Sequence, residues 1–293
     1  MTYFAEIEAA AARAAKVLRK KGIEERFCLF SGDAAQNQGR IWAPSQAMTK
    51  FQMEQALGDW AEETIRTAIN ANGDFKAIAF GDNDKTLSED ASFADQYRSG
   101  KVRELEFGKR SDLLLFNADV KTPDDASTLT GQEAEQLCTS CLAGLEVRSS
   151  RTSAHRFIAF QEQQLAAGKK PARMEPSFTV KIEDLEKVYR WIARNKKPIA
   201  YIQVFFDSIY ALNFAYVFEL INELDSKLKL EKPSRSAKPT IMIPISNGIC
   251  IGEVTPPEFT VVHNALASGR HDIYAAPFGG NANIDVTRLM QVL

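Results

Sequence analysis

In the stretch "AGLEVRSSRTSAHRF", 143–157, Glu146 and Arg148 stand two residues apart. Residues two apart in a strand share a face. Glu146 and Arg148 therefore point one way, and Leu145 and Val147 the other. A carboxylate beside a fixed cation on a half-buried strand has the make-up of an active-site wall. Thirty-four residues earlier, Asp112 enters the apolar segment "SDLLLFN", 111–117. An acid there carries a large desolvation cost unless a metal or a cation offsets it. Two carboxylates converging from neighbouring strands make a hard oxygen site suited to Mg²⁺. Such a site positions and activates water and stabilises phosphoryl charge. The plainer reading is that Asp112 opens a hairpin while Glu146 and Arg148 form a surface ion pair.

The residues after the strand add a second kind of chemistry. "SSRTSAHR", 149–156, offers hydroxyls suited to capping a helix, and a helix N-terminus attracts phosphate. Between 148 and 173 the basic residues are Arg148, Arg151, Arg156, Lys169, Lys170 and Arg173, against Glu162 alone. This is a local +5 on a chain of net charge −2. Arginines at a helix start can fork onto guanine edges or phosphates. The alternative is a solvated basic face.

The elements that must position these groups read as alternating helix and strand. An alanine-rich amphipathic helix opens the chain and ends near Gly22, and "RFCLF", 26–30, is a short strand. A loop over 31–45 leads, with Ser45 as cap, into a helix over 45–71. "FKAIAFG", 75–81, is a strand, and 82–100 is an acidic surface segment. Residues 101–117 read as two strands joined through Gly108, and 131–144 as a short helix ended by Gly144. A helix over about 152–167 follows the 145–149 strand, and 177–197 holds a strand start and a helix. "PIAYIQVFFD", 198–207, is a buried central strand, followed by a helix over about 213–228. "TIMIPISNGICIGEV", 240–254, reads as a hairpin turning at Asn247-Gly248. The expected class is α/β (α+β), a central mixed sheet flanked by helices in one domain. Its parts are a helical one over about 1–70, a core over about 71–228 and a β-rich one over about 229–293.

Composition narrows the classes. With 293 residues, 45% hydrophobic and 25% charged, the chain is of ordinary globular composition. The bulk charge does not announce a nucleic-acid binder, but it leaves room for a local basic cleft. No apolar run approaches membrane-spanning length, and the first helix lacks the features of a secretory signal. Cys28, Cys138, Cys141 and Cys250 suggest a reducing compartment. "CTSC", 138–141, lacks two further ligands at zinc spacing, because the only histidines are His155, His263 and His271. Trp60 and Trp191 read as core, and Trp42 lies in a polar loop. No phosphate-binding glycine motif occurs, which with the basic patch counts against a metabolic α/β enzyme.

The order of these pieces carries a resemblance. A helix with "GDWAEET" is followed by strands with "SDLLLF" and "LEVRSS", a helix, and then Trp191, Pro198 and "QVFFD" in register. This resembles the PD-(D/E)xK nuclease fold and, within it, type II restriction endonucleases of the AccI-like group. The "EVRSS" strand, the Phe178-Thr179, Lys181 and Glu183-Asp184-Leu185 segment and the "QVFFD" strand carry it, over roughly residues 45–225. The resemblance implies a restriction-endonuclease-like core. Asp112 would match the first metal-binding acid, Glu146 the second, and Glu62 or Glu63 an accessory acid. Arg148 falls where lysine is usual, and Ser111 where proline is usual. Arginine can orient water or stabilise phosphorane charge, but it is a poor proton acceptor. Lys109 or a metal-bound hydroxide would then substitute.

The resemblance further implies Mg²⁺, for which Mn²⁺ can substitute, and double-stranded DNA cut to 5′-phosphate and 3′-hydroxyl ends. By analogy Arg151, Ser153, His155 and Arg156 read the DNA, with Lys109 and Arg270 beside them. Asn247, His271 and Asn281 are further candidates. A homodimer in a bacterial cytoplasm is expected, with a cognate DNA methyltransferase as genetic companion rather than bound partner. The C-terminal part would serve recognition or dimerisation. Two other readings stay open: a repair or structure-specific nuclease of the same fold, and an inactive DNA-binding protein in which Arg148 marks lost catalysis.

Overall fold

The computed structural model describes residues 3–23, 49–81, 104, 108–224, 228–231, 239–265, 269 and 271–293. The expected strand at 26–30, the loop at 31–45, Ser45, Trp42, Cys28 and Arg270 lie outside these residues, as does the acidic segment from 82 onward.

Helix α1, Tyr3–Lys20, buries Ile7, Ala10, Ala11, Ala14 and Leu18, a stripe at helical spacing. It ends as expected at Gly22, whose φ of 76° is left-handed, with the Ile23 amide returning to the Leu18 carbonyl. Helix α2, Thr49–Asn72, buries Leu57, Trp60, Ala61, Ile65 and Ile69. Asn70 ties its end to β1, Phe75–Ala79: the Ala77 amide donates to Asn70 Oδ1, and Asn70 Nδ2 donates to the Ala77 carbonyl.

Strand β2, Leu113–Asn117, precedes α3, Gly131–Ser140, and β3, Ala143–Ser149. The helix thus stops before Gly144, which lies inside β3. A Cβ there would come within 2.8 Å of Ser111 Oγ and 3.2 Å of Ile199 Cγ1, so glycine lets neighbouring chain segments close in. Of residues 101–107 only Glu104 is described, and it is helical rather than extended. After α4, Ala154–Ala166, come β4, Ser177–Lys181, and α5, Ile182–Asn195. Strand β5, Ile199–Val204, is buried throughout. It turns straight into β6, Ser208–Asn213, which the sequence reading did not anticipate. The turn is closed by the Phe205 amide donating to the Ser208 carbonyl. Helix α6, Phe214–Asn222, starts where expected, with Asn213 as its cap.

The C-terminal part contains β7, Lys229–Glu231; β8, Thr240–Pro244; β9, Ile249–Thr255; β10, Glu258–Ala265; β11, His271–Phe278; β12, Asn281–Ile284; and α7, Val286–Val292. The main sheet runs β1-β2-β3-β5-β6-β9-β12, with β3 and β5 parallel and the other neighbours antiparallel. It therefore draws on residues beyond the expected 71–228 core. Strands β8 and β9 do not pair as a hairpin. A 3-10 turn at Ile245–Asn247 separates them, and β8 joins a second sheet, β4-β8-β7. Strands β10 and β11 form their own ribbon.

Side chains alternate through the main sheet. Leu113, Leu115, Leu145 and Val147 pack in one apolar cluster with α2 and α7. Leu114, Phe116, Ile199 and Tyr201 pack in the other, with α1, α5 and α6. The architecture is α+β, a mixed central sheet with seven α-helices among the described residues, consistent with a restriction-endonuclease-like core.

Candidate active site

Asp112 is the last residue before β2. Its carbonyl accepts from both the Phe80 and Gly81 amides, each at 3.0 Å, which fixes it against the end of β1. Strand β2 pairs β3 as Leu113 with Leu145, so one further step sets Asp112 opposite Glu146. The Val147 amide donates to Asp112 Oδ2 at 2.7 Å. Because Leu113, Leu145 and Val147 face α2, the alternation turns Asp112, Glu146 and Arg148 towards α5, as the strand pattern predicts.

Glu146 is not part of a surface ion pair: its side chain is 1% exposed. Lys109 Nζ donates to Glu146 Oε1, and Arg148 Nη2 lies 2.6 Å from the same oxygen. Glu146 Oε2 is buried with no hydrogen-bond partner. Arg148 Nη2 also donates to Asp184 Oδ2 at 3.2 Å, and Arg148 Nη1 lies 4.0 Å from Asp112 Oδ2. One guanidinium therefore faces three acids.

These neighbours set the protonation states. Burial pushes the Glu146 carboxyl up, the Asp112 charge adds to this, and Lys109 and Arg148 oppose it. Glu62, on α2, is pushed up to about 8 by burial, then by Asp112, Asp59 and Glu146. Burial and Arg148 alone would lower Lys109, but Glu146, Asp112 and Asp184 outweigh them and hold it above its usual range. Lys109 is thus a cation at neutral pH. Burial would likewise raise Asp184, yet Lys109, Arg148, Lys187 and Lys181 hold it well below the usual carboxylate range.

The structure sorts the other expected site residues. Of the two accessory acids only Glu62 has its carboxyl shifted by the charges of Asp112 and Glu146. Glu63 is 59% exposed, pairs with Arg66 at 2.7 Å and lines a groove between α2 and the β11–β12 turn. Arg151, His155 and Arg156 are exposed at the start of α4 or just before it. Arg151 lies 3.9 Å from Glu54. Ser153 occupies the N-cap of α4 without a side-chain cap. Asp207 supplies that cap instead, accepting from the Ala154 and His155 amides at 2.7 and 3.0 Å. The helix terminus is therefore not free to hold phosphate. Asn247 is bonded to its own turn, and His271 stacks against His263 on the β10–β11 ribbon. Asn281 is exposed at the start of β12.

Other features prove structural. Trp60 and Trp191 are 8% and 2% exposed. Burial pushes the Cys138 and Cys141 thiols up to about 11 and 12. Among the described residues no three His, Cys, Asp or Glu side chains are spaced to hold a metal ion by themselves. No described helix is long and apolar enough to cross a membrane.

Sequence reading missed Asp184 and the capping role of Asp207. The signal for Asp184 was present: it precedes Leu185 and lies one turn before Val188, both on the buried stripe of α5. An acid beside such a stripe needs a partner.

The geometry agrees with comparison to known proteins. A search of curated proteins and one of solved structures found no match. A family model described as AccI restriction endonuclease matches residues 29–169 and 159–293, nearly the whole chain. Taken with a sheet that brings Asp112 and Glu146 together beside two cations, this match shows that the chain belongs to the AccI restriction endonuclease family.

Proposed function

We propose that the chain is a type II restriction endonuclease that recognises a short sequence in double-stranded DNA. On this reading it hydrolyses phosphodiesters with Mg²⁺, leaves 5′-phosphates and works as a homodimer. The observation that carries the reading is the Asp112–Glu146 pair on adjacent strands, with Lys109 and Arg148 on the Glu146 carboxylate.

The donor set fits a hard dication. The unpartnered Oε2 of buried Glu146 is an oxygen in want of a cation. Charge crowding among Glu62, Asp112 and Glu146 would be relieved by one. A site of few protein oxygens suits Mg²⁺, which keeps several of its waters. Asp112 and Glu146 would hold the ion, with Glu62 as an accessory acid that adds negative charge nearby. Bound there, it supplies Lewis acidity, acidifying water and neutralising phosphoryl charge. Lys109 stands in for the missing lysine as a cation on the phosphate, not as a base, and Arg148 stabilises the extra negative charge of the transition state. Arg151 and Arg156 present their charge and His155 its ring nitrogens to DNA directly, since Asp207 occupies the first two amides of α4. A two-fold dimer would match a palindromic target.

Unmethylated phage DNA incubated with the protein in millimolar Mg²⁺ tests the reading. Discrete fragments with 5′-phosphate ends are expected, and chelator should abolish them. The arginine in the lysine position favours one other reading, an inactive DNA-binding protein. Binding without cleavage in both Mg²⁺ and Mn²⁺ would establish it.

A further inference from the structure

Arg148 presents a problem for any site in which Glu146 takes a cation. Its Nη2 group is shared between Glu146 Oε1 at 2.6 Å and Asp184 Oδ2 at 3.2 Å. A dication on Glu146 would displace the guanidinium by repulsion. An arginine 28% exposed would then be free to swing into solvent, away from the phosphate it should serve.

We propose that Asp184 is the positioning residue that keeps Arg148 in the site once Glu146 is given over to metal. This rests on the reading of the site given above. Asp184 is well placed for the task. It sits in the first turn of α5, where the helix dipole favours a carboxylate. The start of that helix is anchored by the Ile182 amide on the Pro239 carbonyl, and Leu185, Val188, Trp191 and Ile192 fix its buried side. Asp184 is 14% exposed, and its hydrogen bond goes to Arg148. It serves as a second seat for the guanidinium, about one hydrogen bond from the first. Its negative charge also assists metal binding by pulling Arg148 away from Glu146.

Mn²⁺ affinity of the full chain without DNA, measured by electron paramagnetic resonance, tests this separately from activity. The variants are D184N, R148Q, the double variant and D184E, with cleavage rates measured in parallel. D184N should weaken Mn²⁺ binding and slow cleavage about tenfold each, as expected for groups that orient a metal ligand's neighbours. D184E, which keeps the charge, should recover most of both losses, and it carries the test if D184N does not fold. In the R148Q background, D184N should change Mn²⁺ affinity clearly less than in the wild-type background, because the effect proposed for Asp184 runs through Arg148. Equal effects of D184N with and without Arg148, or no effect, would overturn the role of Asp184 alone. Wild-type protein that binds no Mn²⁺ would overturn this inference together with the metal-dependent reading.

Discussion

At the scale of single residues, the candidate site is a charge cluster whose members set one another's protonation. Glu62 shows this most clearly, with its carboxyl raised to about 8 against an ordinary value near 4.5. An acid whose folded-state pKa lies above its unfolded one adds stability that is full below the unfolded value and is lost as pH rises through the folded one. Metal-free wild-type protein should therefore lose melting temperature between about pH 5 and pH 8.5 from this group, at roughly 2–4 °C per kcal/mol. Glu62→Gln removes that loss, so the variant should melt higher than wild type at the alkaline end and converge with it at the acid end. Parallel melting curves would contradict a Glu62 carboxyl raised by burial and by the Asp112 charge. The acid–arginine strand and the acid before β2 were legible in sequence because strand alternation is a local rule. Asp184 was legible only as an acid beside the buried stripe of α5, not by its partner, because Arg148 lies thirty-six residues away and only the tertiary fold brings the two together.

At the scale of elements, backbone conformation delivers the side chains. Gly108 has a φ of 87°, and a Cβ there would stand 2.5 Å from the Trp191 amide nitrogen on α5. The next residue is Lys109, whose amide donates to the Lys187 carbonyl of the same helix. Gly108→Ala must therefore strain the backbone and push the segment off α5. We expect a loss of about 1–2 kcal/mol from the left-handed conformation alone, seen in urea unfolding. Cleavage should also fall at least about tenfold from the displaced lysine. Unchanged cleavage in a folded variant would show that Lys109 is not held from this turn.

Sequence patterns gave most of these elements: α1 to Gly22, buried β5 and the helix after Asn213. They failed where pairing is non-local. Asn247-Gly248 reads as a hairpin, yet β8 pairs β4 and β7 while β9 pairs β6 and β12. Strand β6 was hidden because the turn through Asp207 is short and apolar residues continue on both sides of it.

At the scale of the whole molecule, exposed basic side chains follow one another after β3 in a chain of net charge −2. Arg151, Arg156, Lys169, Lys170 and Arg173 are exposed after β3, whereas Arg148 is drawn into the acid cluster. If this region tracks the DNA backbone, affinity should fall steeply with salt. Arg156→Ala should weaken binding to all sequences alike and lower the slope of log affinity against log salt by about 1. An altered sequence preference at unchanged slope would instead place Arg156 on a base edge.

The most direct test of the central claim is the single-turnover cleavage rate of Asp112→Asn and Glu146→Gln against wild type in Mg²⁺, with DNA binding measured on the same samples. Both substitutions keep size and one acceptor oxygen while removing the charge that would hold the ion. DNA should be bound with near wild-type affinity and cleavage slowed roughly 100-fold or more in each variant. Cleavage at wild-type rate in either variant would place the active site elsewhere in the molecule.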